Sequence, residues 1–409
     1  MIMSEKKLTH VTVYWVRCLM NIKLFICFCS VIYLAGCQST SPSAPLTPPD
    51  ILNNVSFEHQ PVESVEEIFS LSPEIINQFH QSIHHTPDAK IMTRELLTFI
   101  FESLTNKLNY VSGSTLTANQ TFSQQNANCL SLSILAHALA EELGLDSRFQ
   151  RVYIPEYWAL DQGFNMLTGH VNLKINRQAF ESQDGVTRFY NYADSLTVDF
   201  DPNSREQGFP TQFIDKSVIA AMFYNNKGAQ ALVNQQYDRA FSYFKAGIDI
   251  APHYSGSWGN VGILFKLNNQ YNAAEQAYQF AIKLDEDNNT AKGNLAILLS
   301  LTGREEQAKV IQDELELKRQ SNPYYHIAKG NEAYIHNEYQ MAMRHYRKAL
   351  TLDKKSHESY FGLARSYYQL GDTKLAERYL KQAHKSARFS FDIERYQSKL
   401  SHLSAAINY

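Results

Sequence analysis

The sequence predicts an α+β domain followed by an all-α solenoid of short helical repeats. Helical periodicity gives way to period-two alternation between residues 148 and 201, and a 34-residue recurrence sets in after about residue 220. At 409 residues the chain is long enough for two or three separate cores. With 44% hydrophobic and 12% aromatic residues, it has the material to fill them. The 38 basic and 41 acidic residues leave a net charge of −3. The first 36 residues hold Lys6, Lys7, Arg17 and Lys23 against Glu5, so without them the charge falls from −3 to −6. That sign excludes a general pull towards nucleic acid, and no nucleic-acid partner is expected.

The amino terminus reads as an address. Leu24 to Leu34 form an uncharged apolar run preceded by Lys23 and closed by Ala35-Gly36-Cys37. A basic flank, a short apolar stretch and small residues at its end describe a secretory signal, and the run is well short of the roughly 20 residues a spanning helix needs. Met20-Asn21-Ile22-Lys23 would also start a compact signal by itself. Residues 38–50 hold four prolines among Ser and Thr and read as an extended tether. Of the five cysteines, Cys18, Cys27 and Cys29 lie within the signal, which leaves Cys37 and Cys129.

The globular part opens with helices. Ser72-Pro73-Glu74 is a helix start, with Ser as cap and Pro at the first helical position, and Pro87-Asp88 opens a second helix through Leu104. His80 and His84 lie four apart, a spacing that can grip a metal, but no Cys or acidic partner stands at ligand spacing. A solvated polar face is the reading adopted, with no metal or cofactor expected. Cys129 opens an amphipathic helix with Leu132, Leu135, Ala136, Leu139 and Leu143 on one side, ended by Gly144. Strands follow at Arg148–Ile154, Gly169–Ile175 and Leu196–Asp201, with a turn signal at Asp184-Gly185. In the second strand Val171, Leu173 and Ile175 face one way and His170, Asn172 and Lys174 the other.

The repeat is read from spacing. Ala240, Ala274, Ala308, Ala342 and Ala376 recur one period apart, and Phe244, Tyr278, Gln312, Tyr346 and Leu380 recur four residues later. Gly228, Gly262, Ala296, Gly330 and Ala364 hold the small position of the preceding helix, and Tyr224, Trp258 and Tyr360 an aromatic position near the start. The third unit is degenerate, with Lys292 and Gln312 in place of aromatics. Fixed small and aromatic positions are core, so partner-facing residues come from elsewhere, such as Asn331, Tyr334, Arg365 and Tyr368.

The pattern resembles the tetratricopeptide repeat, which implies stacked helix pairs whose groove binds peptides or protein segments. The ending Leu34-Ala35-Gly36-Cys37 resembles the lipobox of bacterial lipoproteins. It implies acylation of Cys37 and a membrane anchor. With Gln38 after the cysteine, the resemblance implies the periplasmic face of the outer membrane, where envelope proteins or peptides are the expected substrates.

Chemistry gathers at Cys129. A thiol at a helix start has its anion favoured by the dipole and nearby amides, an imidazole can take and return its proton, and a carboxylate can fix that imidazole. Cys129, His170 and Asp199 or Asp201 come in that order. The run from Leu108-Asn109-Tyr110 to Ala127-Asn128-Cys129, with Gly144–Arg148, Gly169-His170-Val171 and Val198–Pro202, resembles the transglutaminase-like superfamily, a papain-like thiol fold. The resemblance implies Cys129 as nucleophile, His170 as base and acid, and Asp199 as orienting carboxylate, with Asp201 as its competitor because it precedes Pro202. Ala127-Asn128 departs from the family's Gly-Asp, and an insertion is expected around Arg177–Ala193. The Cys129 amide and Gln120 or Gln125 are candidate oxyanion donors. Against this stands the plain reading that a single Cys in a small-residue helix is a compact hydrophobe.

The expected organisation is therefore a signal at 1–36, lipidated Cys37 and tether over 37–58, the transglutaminase-like domain over 59–218, about five repeats over 219–390 and a capping helix over 391–409. Acyl transfer or amide hydrolysis at Cys129 is the leading function, and a catalytically silent scaffold binding proteins through its repeats is the alternative.

Overall fold

Two serines open the first helices. Ser64 caps α1 (Val65–Phe69) through a capping box with Glu67, and Ser72 caps α2 (Pro73–Ser82), where Pro73 fills the first turn. The computed structural model describes residues 46–53, 55–84, 88–105, 109–110, 113–124, 126–154, 156, 158–161, 164–167, 169–176, 179–181, 188–190, 195–200, 209–387 and 390–407. The expected signal, Cys37, Gln125, the Asp184-Gly185 turn and Asp201 lie outside the described residues. Among the described residues, no helix is long and apolar enough to cross a membrane.

After α3 (Ala89–Thr105), a two-residue parallel pair joins β1 (Asn109–Tyr110) to β2 (Asn126–Ala127) around α4 (Ala118–Gln124). Then comes α5 (Cys129–Glu142). Its expected amphipathicity is corrected: residues 129–140 are buried on every side. Two of its polar side chains find partners inside the protein. Ser131 bonds Asn128 and the Ser114 carbonyl, and His137 bonds Ser147 Oγ at 2.7 Å beneath Phe149 and Phe69. Burial, with the positive charge of Lys216 adding to it against Glu141, pushes His137 down to about 4. Gly144, at φ +66°, ends the helix, and the Leu145 amide closes back on the Ala140 carbonyl.

Four strands form one antiparallel sheet in the order β10–β3–β6–β9: β3 (Ser147–Val152), β6 (His170–Ile175), β9 (Leu196–Val198) and β10 (Thr211–Ile214). Two side hairpins, β4 (Trp158–Asp161) with β5 (Phe164–Leu167) and β7 (Ala179–Glu181) with β8 (Arg188–Tyr190), leave this sheet at its loops. The second lies within the expected insertion. Phe149, Val171, Leu173, Ile175 and Val198 share one core with α5 and with Ile219, Phe223, Tyr224 and Tyr243 of the next two helices. The repeat array therefore begins inside the α+β core, with no free linker near residue 218.

Five helix pairs follow: α6 (Lys216–Val233) with α7 (Tyr237–Ile250), α8 (Ser255–Leu267) with α9 (Tyr271–Leu284), α10 (Asn289–Leu301) with α11 (Glu305–Arg319), α12 (Pro323–Ile335) with α13 (Tyr339–Leu352), and α14 (His357–Gln369) with α15 (Thr373–Ser386). Helix α16 (Ser390–Ile407) covers the last pair with buried Tyr396 and Leu403. The aligned alanines are 0–1% exposed. Small position and aromatic interlock: an ideal Cβ on Gly228, Gly262 or Gly330 would stand 2.5–2.6 Å from a ring atom of Phe244, Tyr278 or Tyr346. Where the later position is Gln312 or Leu380, the small position is Ala296 or Ala364, because no ring claims that volume.

A further period lies in the turns. Gln235, Asn269, Gly303, Asn337 and Gly371, one repeat apart, all have φ between +58° and +80°. In each case the following amide bonds a carbonyl five residues back, Gln236 to Ala231 being the first. Every pair thus turns on the same left-handed cap.

Part of the expected tether is packed. Ile51 is buried, Phe57 stacks on Phe241 with centroids 5.0 Å apart, and the amides of Glu58 and Gln60 bond Asp238 Oδ1 and Ser242 Oγ at 3.0 and 2.8 Å. Glu63 then meets Tyr224, Tyr243 and Lys227. The flexible stretch expected over 37–58 gives way to this strap from residue 51, since isolated apolar anchors suffice to seat an extended chain without showing any periodicity.

Candidate functional site: a thiol, an imidazole and a carboxylate

Asn128 sets Cys129 in place. Its Oδ1 accepts from Ser131 N at 2.9 Å, capping α5, while its Nδ2 donates to Thr115 Oγ1 at 2.9 Å. Cys129 is thus the first residue of the helix, where unpaired amides and the dipole favour an anion. His170 opens β6, paired with Val152 across the sheet. The Cys129 thiol lies 3.8 Å from the Gly169 carbonyl, donating to the peptide just before His170.

Asp199 follows the last residue of β9. Both its carboxylate oxygens accept from His170 Nε2, each at 3.0 Å, and Oδ2 also accepts from Asn172 Nδ2 at 3.3 Å. With Nε2 committed to the carboxylate, Nδ1 is the ring atom left for the thiol. Burial pushes the imidazolium down, but hydrogen bonds to Asp199 and Cys129, together with their charges, overcome it and raise His170 to about 10. Cys129, His170 and Asp199 are 4%, 2% and 6% exposed.

Of the sequence-derived candidates, the fold brings Cys129, His170 and Asp199 together. Gln120 is drawn into a cap, its Oε1 accepting from Thr117 N at 3.2 Å. His80 and His84 part company, His80 with Glu142 and His84 with Glu95, both at 2.7 Å. Among the described residues no three His, Cys, Asp or Glu side chains gather as a metal site. Asn172, placed by the sequence on the same side of its strand as His170, is given no role there, yet it reaches the Asp199 carboxylate.

On the repeats, Tyr368 is 54% exposed, whereas Asn331, Tyr334 and Arg365 join in one cluster. The Arg365 guanidinium lies 4.0 Å over the Tyr334 ring and donates to Tyr346 OH at 2.6 Å and to Asn331 Oδ1. Between the two regions, Arg319 Nε and Nη2 bond the Glu156 carboxylate at 2.9 and 3.3 Å, and Asn322 Nδ2 donates to the Glu156 carbonyl at 2.8 Å.

The tetratricopeptide repeat family profile matches residues 267–331 and 333–403. No curated protein sequence matches the chain. Among solved structures, a chain of the APC/C hetero-tetramer Cut9–Hcn1 is 18% identical over 46% of this chain and 37% of its own, with a TM-score of 0.28. PilF of Pseudomonas aeruginosa is 14% identical over 47% of this chain and 92% of its own, TM-score 0.28. YrrB, a tetratricopeptide-repeat protein with an unusual peptide-binding site, is 11% identical over 44% of this chain and 92% of its own, TM-score 0.24. Residues 147–214 hold a small antiparallel sheet, and the C-terminal region is an all-helical tetratricopeptide-repeat solenoid.

Proposed function

We propose that this chain is a protein-binding scaffold whose α+β domain performs acyl transfer or amide hydrolysis through Cys129, as its resemblance to transglutaminase-like proteins implies. The binding half is supported by the repeat match, since such arrays hold protein segments. The catalytic half is carried by one observation: the His170 ring, held by both oxygens of Asp199, beside a thiol at a helix start.

In this reading Cys129 Sγ attacks an amide carbonyl carbon with its proton already resting on His170. The tetrahedral adduct expels the amine, which receives that proton, and leaves a thioester. Water or a second amine then attacks the thioester, gives its proton to His170, and frees the thiol as it is reprotonated. Asp199 holds the ring and stabilises it while charged. The substrate is an envelope protein or peptide, delivered by the repeats. Acylation of Cys37 would place all of this on the periplasmic face of the outer membrane. Metabolic labelling with a fatty acid checks the anchor: label is expected in the wild type and absent in Cys37→Ser.

A second reading, a catalytically silent scaffold, is favoured by the 4% exposure of Cys129 within an apolar core. Iodoacetamide alkylation of the native protein against pH separates the two. An activated thiol labels at neutral pH about tenfold faster than a model thiol, whose pKa is near 8.5. A model-thiol profile, or labelling only on unfolding, leaves the scaffold alone.

A further inference from the structure

Asn172 lies at 4% exposure in the middle of β6. The register of β6 with β9 ends at Leu173 opposite Val198, and one step further sets Asn172 across from Asp199. On its other side Asn172 faces Gln150 of β3, itself buried. A buried polar row therefore crosses three strands, Gln150, Asn172 and Asp199, beside the apolar core positions Phe149, Leu173 and Val198. Asn172 Nδ2 donates to Asp199 Oδ2 at 3.3 Å, on the carboxylate that holds His170 Nε2. Its Oδ1 is buried without a hydrogen-bond partner among the described residues. An orphaned buried amide oxygen is costly, and a leucine of the same size would avoid that cost. What the amide supplies in return is the bond to Asp199.

We infer that Asn172 is a positioning residue for the Cys129–His170 pair: it fixes the plane of the Asp199 carboxylate so that both oxygens meet His170 Nε2. This rests on the thiol reading above. Without the donor, the carboxylate loses one of the bonds that hold its plane. The ring it meets then loses part of its fixed orientation and of its charge stabilisation.

The test is the pH profile of Cys129 alkylation by iodoacetamide in the wild type, Asn172→Leu, Asn172→Thr and His170→Ala. Threonine is included because it suits a strand and its hydroxyl is too short to span the gap. Loss of the donor is expected to slow labelling at neutral pH about threefold to tenfold and to move the midpoint up in pH, with far-ultraviolet circular dichroism unchanged. A purely structural role would leave the midpoint in place. Folded Leu or Thr variants that track the wild type, while His170→Ala shifts the profile, overturn the role of Asn172 alone. A His170→Ala profile equal to the wild type overturns the thiol reading beneath it.

Discussion

Gly330→Ala destabilises the fourth and fifth repeat units by about 1–3 kcal/mol, the usual range for overpacking a tight core. Helix propensity argues the other way, since alanine in a helix interior is favoured over glycine by about 1 kcal/mol. Geometry decides between them. The added methyl would stand 2.5 Å from Tyr346 Cε1, far inside van der Waals contact. The ring has little room to retreat, because it also fills the side-chain space of Gly362 on the next unit, where an ideal Cβ would stand 2.5 Å from the same ring atom. Its hydroxyl is tied to Asn331 and Arg365, and the residue is fully buried. Gly293 is the control: its Cβ would meet Leu315 Cδ1 at 3.7 Å, an ordinary contact, so Gly293→Ala is expected to be neutral or stabilising by up to about 1 kcal/mol. Hydrogen exchange resolves both, with the loss confined to α12–α15 because repeat arrays unfold unit by unit. An unperturbed Gly330→Ala protein would contradict the ring-in-notch packing.

His170→Ala slows neutral-pH alkylation of Cys129 by about an order of magnitude, through loss of the ionised pair rather than of fold. The same residue sets a pH dependence of stability. Its folded value of about 10 stands above the ordinary 6.5, so the native state holds a proton that the unfolded chain releases first. The contribution is complete below about pH 6.5 and is lost as pH rises towards 10. Urea melts at pH 6 and pH 9 should therefore differ more in the wild type than in His170→Ala. Equal slopes in the two proteins would show that the imidazole is not held charged.

Sequence spacing reached the solenoid because every unit repeats one packing solution: alanine at the crossing and, at the small position of the preceding helix, glycine where a ring fills the space of a side chain and alanine where none does. It reached Cys129, His170 and Asp199 as candidates through their order along the chain. It could not separate Asp199 from Asp201, since period-two alternation puts both on one side of a strand. The helix after Cys129 misled for a physical reason. Leu132, Leu135, Ala136, Leu139 and Leu143 mark one apolar side, yet Ser131, Ser133 and His137 are buried as well, and Ser131 and His137 find partners inside the protein. The strap at Ile51–Gln60 was illegible because Phe57 and Ile51 act singly. The left-handed caps at Gln235, Asn269 and Asn337 went unseen because glycine, the usual marker, is missing there.

Arrays of stacked helix pairs stretch under load like springs, each joint yielding a little. Here Glu156 clasps Arg319 and Asn322, while α6 is rooted in the α+β core. The first three pairs are thereby bridged at both ends. Tension between the α+β domain and the carboxyl terminus would bypass them and fall on the α12–α16 segment, which alone is left to act as the compliant arm.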